Sequence, residues 1–304
     1  MERQYDLVII GAGPAGMAAS VYGSRAGLKT LLLDNGAPGG KLIKTHLISN
    51  YPGVKELSGV DLATQMFEQS TSFGAEYAYG DVEKVDADKK VYLSDGTVVE
   101  GKAVIVATGT KERLLNIPGE QENIGRGVSF CAVCDGAFFR GKDVVVIGGG
   151  NSALEESLYL TQFANSVTIV IRRDVFRAEK RIQDQIQNNE KIKVIVKHIP
   201  KEVLSENGKV SGIVLENVDT KEKQTVACQG IFPYIGQDPI TSCLEGLGVL
   251  DERGYVKVDE HMETSIKGLY AAGDVIQKEL RQVVTATNDG AIAAQHAFHE
   301  ITGI

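Results

Sequence analysis

Continuous apolar runs, as opposed to alternating ones, mark where this chain should bury strands on both faces. The first is Asp6–Ile10, which runs directly into Gly11-Ala12-Gly13-Pro14-Ala15-Gly16. A small-residue helix is predicted from Met17 to about Arg25, closed by Gly27. A second apolar strand, Thr30–Leu33, ends in Asp34, and another helix is predicted over Gly59 to Phe73. Val91–Leu93 and Thr97–Val99 flank Ser94-Asp95-Gly96 as a hairpin. Ala103–Ala107 repeats the buried-strand pattern and ends in Thr108-Gly109.

The plan then starts again. Asp143–Ile147 leads into Gly148-Gly149-Gly150-Asn151-Ser152-Ala153 and a helix predicted from Leu154 to about Gln162. A strand over Val167–Ile171 follows, ending in Arg172-Arg173. This repetition of strand, glycine loop, helix and strand predicts two dinucleotide-binding βαβ domains in an α/β chain. The last stretch, Gly268 to Asp274 and a helix from Arg281, has no glycine loop of its own and is assigned to the first domain. The expected fold is therefore two Rossmann-like domains with the second inserted into the first. Residues 1–113 and 242–304 make one domain, and 114–241 make the other.

A length of 304 residues agrees with two domains. The net charge of −8 opposes a polyanionic partner, because nucleic-acid binding needs a basic face to displace counterions. No apolar window approaches the ~18 residues of a membrane span, and the first residues run straight into a strand, so no secretory signal is expected. A cytoplasmic protein is expected.

Gly11-x-Gly13-x-x-Gly16 matches the dinucleotide fingerprint in its full context. The first glycine allows the turn, the second lets a pyrophosphate approach the backbone, and the third lets helix and strand pack closely. The helix start offers unpaired N–H donors to phosphates. Asp34 lies about 20 residues on, where an acid accepts ribose hydroxyls. The second loop, Gly148-x-Gly150-x-x-Ala153, differs at the corresponding strand end. Arg172 and Arg173 stand there, with Arg177 one helical turn further. They suit a 2′-phosphate through bidentate bonds, or else form a solvated charge cluster.

Two nucleotide sites suggest one pyridine nucleotide and one flavin, since a flavin accepts hydride and passes electrons on. Of the four cysteines, two form Cys131-Ala132-Val133-Cys134, while Cys228 and Cys243 stand alone. In the pair, one thiolate can attack a substrate disulfide and the other can resolve the mixed disulfide. A zinc half-site would need two more ligands, and the nearest histidine pattern, His296 and His299, lies far away in the sequence. No metal is expected. Asp135 is placed either to shuttle a proton to a departing thiolate or to be a solvated turn residue.

Taken together, these segments resemble the low-molecular-weight thioredoxin reductases of bacteria and archaea. The resemblance runs through Gly11–Gly16, Gly39-Gly40, Asn50-Tyr51-Pro52-Gly53, Ala107-Thr108-Gly109, Arg126–Gly136, Gly148–Glu156, Arg172–Glu179, Ala272–Val275 and Arg281-Gln282. A cysteine pair just before the second glycine loop is highly specific to that family. Larger disulfide reductases, such as glutathione reductase, carry theirs in the flavin domain near the N-terminus.

The resemblance implies a homodimeric FAD enzyme that reduces thioredoxin with NADPH. Cys134 would face the flavin, Cys131 would attack thioredoxin, and Asp135 would be the general acid. The implied FAD residues are Gly11, Gly13, Pro14, Ala15, Gly16, Asp34, Asn35, Gly39, Gly40, Lys41, Leu42, Asn50, Thr108, Gly109, Gly273, Asp274, Arg281, Gln282 and Val283. Those for NADPH are Gly148, Gly150, Asn151, Ser152, Ala153, Glu156, Arg172, Arg173 and Arg177. Phe138 and Phe139 would dock thioredoxin or pack in the core.

Two positions depart from the family pattern. Lys41 stands where glutamine is usual, which bears on the flavin's contacts and potential. Ile171 stands where histidine is usual, which removes one phosphate contact. Three related enzymes compete with this reading. A ferredoxin–NADP reductase would lack the cysteine pair, and the flavoprotein subunit of alkyl hydroperoxide reductase would carry an N-terminal extension. A dithiol oxidase acting on another small protein or dithiol would lose the nicotinamide site. A non-catalytic redox sensor is the reading from a different class.

Overall fold

The computed structural model describes residues 3–45, 48 and 50–304. The chain divides into two units, one running to Lys111 and resuming at Asp238, the other spanning Glu112–Gln237. The sequence places these boundaries slightly later, at 113 and 241. Residues 238–241 belong to the first unit because Ile240 is tied to it on both sides. Its N–H donates to the Gly109 carbonyl at 3.0 Å, and its own carbonyl accepts from Thr108 Oγ1 at 2.6 Å.

The first unit opens with β1 (Arg3–Ile10), α1 (Pro14–Arg25), β2 (Thr30–Asp34), α2 (Gly59–Thr71) and β3 (Glu76–Tyr79). It continues with β4 (Val82–Val85), β5 (Lys90–Leu93) and β6 (Val98–Val106). In the sheet, β3, β2, β1 and β6 are parallel neighbours. The hairpin's second arm and the buried run after it prove to be one strand, β6. The far edge of β6 is shared, its start pairing antiparallel with β5 and its end parallel with β16 (Leu269–Ala271). The two patterns read from sequence are thus two segments of a single strand, each with its own neighbour.

Along β1 and β6, odd and even residues serve different cores. Val8, Ile10, Val104 and Val106 face one cluster, while Leu7, Ile9, Ala103 and Ile105 face the other. Both faces are covered, which is why the runs do not alternate. On one face α1 packs against α6 (Val283–Thr302), the helix that follows β16. Small residues permit that approach. A Cβ on Gly290 would stand 2.0 Å from the Ala15 carbonyl oxygen.

After β7 (Thr110–Glu112), the second unit holds α3 (Ala132–Asp135), β8 (Asp143–Ile147), α4 (Asn151–Leu160), β9 (Ser166–Val170) and α5 (Lys180–Gln187). Then come β10 (Ile192–Ile195), β11 (His198–Glu206), β12 (Lys209–Asn217), β13 (Lys223–Ala227) and β14 (Gly230–Pro233), before β15 (Gln237–Pro239) returns the chain. A parallel sheet runs β10-β9-β8-β14, and β11-β12-β13 form a separate antiparallel sheet. The meander covers the face of β8 carrying Val145 and Ile147, and the helices cover the face carrying Val144 and Val146.

Three helix starts differ from the sequence reading, all near glycine loops or caps. Helix α1 begins at Pro14, because proline's fixed φ and missing N–H suit the first helical position after Gly13. Helix α4 likewise begins at Asn151, after Gly150, and α6 begins at Val283, after a Gln282–Thr285 capping box.

Candidate functional site

In the first glycine loop the three glycines do different work. Gly11 has φ +108°, and a Cβ there would lie 2.4 Å from the Ala107 carbonyl oxygen. At Gly16 a Cβ would lie 1.8 Å from the Gly11 oxygen. At Gly13 a Cβ would meet no protein atom within 4 Å. Two glycines are therefore demanded by the fold, and the middle one opens a space before the first turn of α1. Asp34, at the end of β2, braces this loop, accepting from Ala12 N at 2.5 Å and from Gly36 N at 2.7 Å.

Most of the remaining residues expected around FAD converge on the same edge of the sheet. Gly39 N donates to the Ala12 carbonyl at 2.7 Å, and a Cβ on Gly40 would stand 3.4 Å from Gly13 Cα. Lys41 Nζ bonds Thr110 Oγ1 and lies 3.9 Å from Asp274 Oδ2. Gly273, at φ +80°, passes Ala15 so closely that a Cβ would come within 2.8 Å of Ala15 Cβ. Arg281 Nε donates to the Asp274 carbonyl at 3.2 Å and its guanidinium lies over Tyr255. Asn50 Nδ2 donates to Gln282 Oε1 at 3.1 Å, and Leu42 shares an apolar cluster with Val283. Thr108 and Gly109 follow β6 at this edge, whereas Asn35 gives its amide to Asp81.

Sequence reasoning missed the brace beneath Gly273. Asp289 and Lys278 form a largely buried ion pair, and Asp289 also accepts the Gly273 N–H at 3.1 Å. The available signal was an acid within the alanine-rich α6, on the face turned to the core.

The second loop repeats the arrangement with a different edge. Gly148 has φ +143° and a Cβ there would reach 2.3 Å from the Tyr234 carbonyl oxygen, whereas Gly150 again opens onto no atom within 4 Å. Ala153 is buried, so here the packing position accommodates a methyl. Arg172, Arg173 and Arg177 are exposed. Arg177 does not extend a helix from Arg173, because residues 172–179 form a loop. That loop is pinned where Arg177 N donates to the Gly149 carbonyl at 2.8 Å. Ile171 is buried against Gly149 and fills the core at its position. Asn151 and Glu179 exchange two hydrogen bonds across the same loop, while Ser152 is exposed. Further along α4, Glu156 Oε2 is buried and has no hydrogen-bond partner among the described residues. Burial, then the charge of Glu155, pushes its carboxyl up to about 7.

Cys131 and Cys134 are joined in a disulfide with Cα atoms 5.3 Å apart. Cys131 caps α3, its Sγ accepting from Cys134 N at 3.1 Å, and Cys134 is the more exposed of the two. Asp135 accepts from Ser129 Oγ at 2.6 Å, and Ser129 Oγ also accepts from Cys131 N at 3.2 Å. The Tyr234 hydroxyl accepts from Ala132 N at 3.2 Å. Ser129 and Tyr234 carried no spacing signal that pointed to the cysteines. Phe138 is exposed, while Phe139 is buried edge-on to Phe232. The lone thiols differ sharply from the pair. Both are buried, and burial pushes Cys228 up to about 12 and Cys243 up to about 11, so neither is a ready nucleophile.

Comparison with known proteins agrees with this geometry. The family model described as pyridine nucleotide-disulphide oxidoreductase matches residues 5–290. A Bacillus subtilis protein named thioredoxin reductase is 48% identical over 302 residues, covering 99% of this chain and 96% of that one. The crystal structure of Lactococcus lactis thioredoxin reductase in its FR conformation is similar with a TM-score of 0.96 at 47% identity, covering 99% of this chain and 100% of that one. The crystal structure of T. acidophilum thioredoxin reductase is similar with a TM-score of 0.92 at 34% identity, covering 98% of this chain and 99% of that one.

Proposed function

The chain belongs to the pyridine nucleotide-disulphide oxidoreductase family, and we propose that it works as a thioredoxin reductase. It carries electrons from NADPH through FAD and the Cys131–Cys134 disulfide to oxidised thioredoxin. When bound, the two cofactors supply hydride donation and two-electron storage. The first unit is the FAD domain and the second is the NADPH domain.

The residues fit both groups. Gly13 leaves room for a pyrophosphate against the start of α1, where backbone N–H groups are unpaired, and Asp34 retains lone pairs for ribose hydroxyls. Gly150 leaves the same room at α4, and Glu156 Oε2 is a buried polar atom awaiting a partner. Arg172, Arg173 and Arg177 bind the 2′-phosphate that distinguishes NADPH. Ile171 contributes nothing to that contact.

Cys131 attacks the thioredoxin disulfide as a thiolate, and Cys134 resolves the mixed disulfide, restoring the Cys131–Cys134 bond as two electrons pass to thioredoxin. Asp135 gives its carboxyl proton to the departing thiolate and is left as the carboxylate, with Ser129 holding the group in place. The exposed Phe138 docks thioredoxin, and Phe139 serves the core. Reduced thioredoxin is a cytosolic reductant, so the enzyme is assigned to the cytoplasm. The active form is a homodimer, as in the family it resembles. Among the described residues no helix is long and apolar enough to cross a membrane.

The observation that carries this reading is a disulfide-bonded Cys-x-x-Cys in the unit that also holds an open glycine loop and three arginines. Anaerobic NADPH should bleach the yellow protein, and oxidised thioredoxin should restore the colour. In Cys134→Ser, NADPH should still bleach the flavin and an artificial acceptor should still be reduced, but thioredoxin should not. Wild-type protein that bleaches and is not reoxidised by thioredoxin would move the assignment to another disulfide substrate.

A further inference from the structure

We propose that Lys41 sets the reduction potential of the flavin in this chain, as a fixed cation that favours the reduced cofactor. The inference rests on the assignment of FAD to the first unit. Lys41 follows Gly40, whose backbone lies against Gly13, and its ammonium is held by Thr110 Oγ1 with Asp274 Oδ2 at 3.9 Å. Each of these neighbours stands at the carboxyl edge of the parallel sheet, where ligands of such folds bind. Thr110 is buried, and the Lys41 and Asp274 side chains are 33% and 22% exposed, so solvent screens this charge only in part.

The redox step needs nothing beyond NADPH. One hydride leaves the nicotinamide with two electrons, and the oxidised cofactor that accepts it gains one negative charge. A cation nearby lowers the free energy of that more negative state, so the potential rises. The sign does not depend on how strongly Lys41 pairs with Asp274. Replacing the ammonium by a neutral group makes the site one unit more negative in either case, and reduction becomes harder. Lys41 is thus a positioning and tuning residue, and takes no part in bond making.

The test is the midpoint potential of the FAD-bound protein, read against a reference dye without thioredoxin. Lys41→Gln should shift the reduction equilibrium at least about tenfold toward the oxidised form, which is about 30 mV for a two-electron couple. Lys41→Arg should stay near wild type because it keeps the charge. Excess FAD restores occupancy should Gln loosen the cofactor. Asp274→Asn gives an independent arm with the opposite sign, since removing the carboxylate should raise the potential. A Gln variant with full flavin and wild-type potential would overturn the proposal, as would an unchanged potential in Asp274→Asn. Wild-type protein that binds no FAD would instead remove the assignment beneath it.

Discussion

The two glycine loops are the same device built twice, and they differ at one packing position and one strand end. At Gly16 a methyl would lie 1.8 Å from a backbone oxygen, while its counterpart Ala153 carries a methyl in the core. The first helix therefore approaches its strand more closely than the second. At the strand ends, Asp34 folds back on its loop with one N–H bond from Ala12 and takes another from Gly36 in its own turn, whereas Arg172 and Arg173 project into solvent. An acid that braces a loop suits bare ribose hydroxyls. Exposed guanidinium groups suit an extra phosphate. The middle glycine is common to both, and neither is required by packing. A residue kept glycine where its Cβ would touch no protein atom is reserving space for something else.

The largest predicted effects come from filling that space. Gly13→Val should fold normally, as read by circular dichroism, yet purify colourless. Gly150→Val should remain yellow while losing flavin reduction by NADPH at least roughly a hundredfold, because only the second pyrophosphate is excluded. Full flavin occupancy in Gly13→Val would end the assignment of the two loops.

A smaller effect should follow at the strand ends. Arg172→Ala with Arg173→Ala removes hydrogen bonds to a charged group that, from two solvent-exposed side chains, contribute about 1.5–3 kcal/mol together. The KM for NADPH should rise roughly 10- to 100-fold, and that for NADH should barely change. Equal rises for both cofactors would mean that these arginines do not read the 2′-phosphate.

A third effect, on stability alone, separates the helices behind the loops. Glu156 on α4 is held near pKa 7, above the ordinary value of 4.5, so the folded protein binds a proton between those values that the unfolded chain releases. Stability therefore falls as pH rises from about 4.5 to about 7, then levels off. The full cost is on the order of 3 kcal/mol. Glu156→Gln does not titrate. In urea unfolding without NADPH, its advantage over wild type should widen between about pH 5 and about pH 8. A gap that stays constant across that range would show that Glu156 is already ionised at the lower pH.

Much of the fold was legible because its strands are buried on both faces, and Asp6–Ile10, Ala103–Ala107 and Asp143–Ile147 announce themselves as unbroken apolar runs. The antiparallel meander over 198–227 was not, since its strands carry many charged residues on a solvent face and leave only a weak pattern. The starts of α1 and α4 lie earlier than the sequence suggests because proline and asparagine right after a glycine look like loop residues until the backbone is seen. Of the site, the glycines, the acid, the arginines and the cysteine pair follow local spacing rules. Ser129, Tyr234 and the Lys278–Asp289 pair do not, because each acts through a partner chosen by folding.

By itself, then, the amino-acid order determined two nucleotide loops, their distinct strand ends and a redox pair, since each is a short segment whose chemistry depends on neighbours in the chain. Tertiary structure alone decided which glycines the fold demands and which it leaves open. It also split the edge of β6 between two partners, buried Glu156 Oε2 with no hydrogen-bond partner among the described residues, and set Lys41 beside Thr110 and Asp274. Those outcomes depend on groups brought together from distant parts of the chain. Distance, burial and charge among such groups arise only once the sheets have closed their cores.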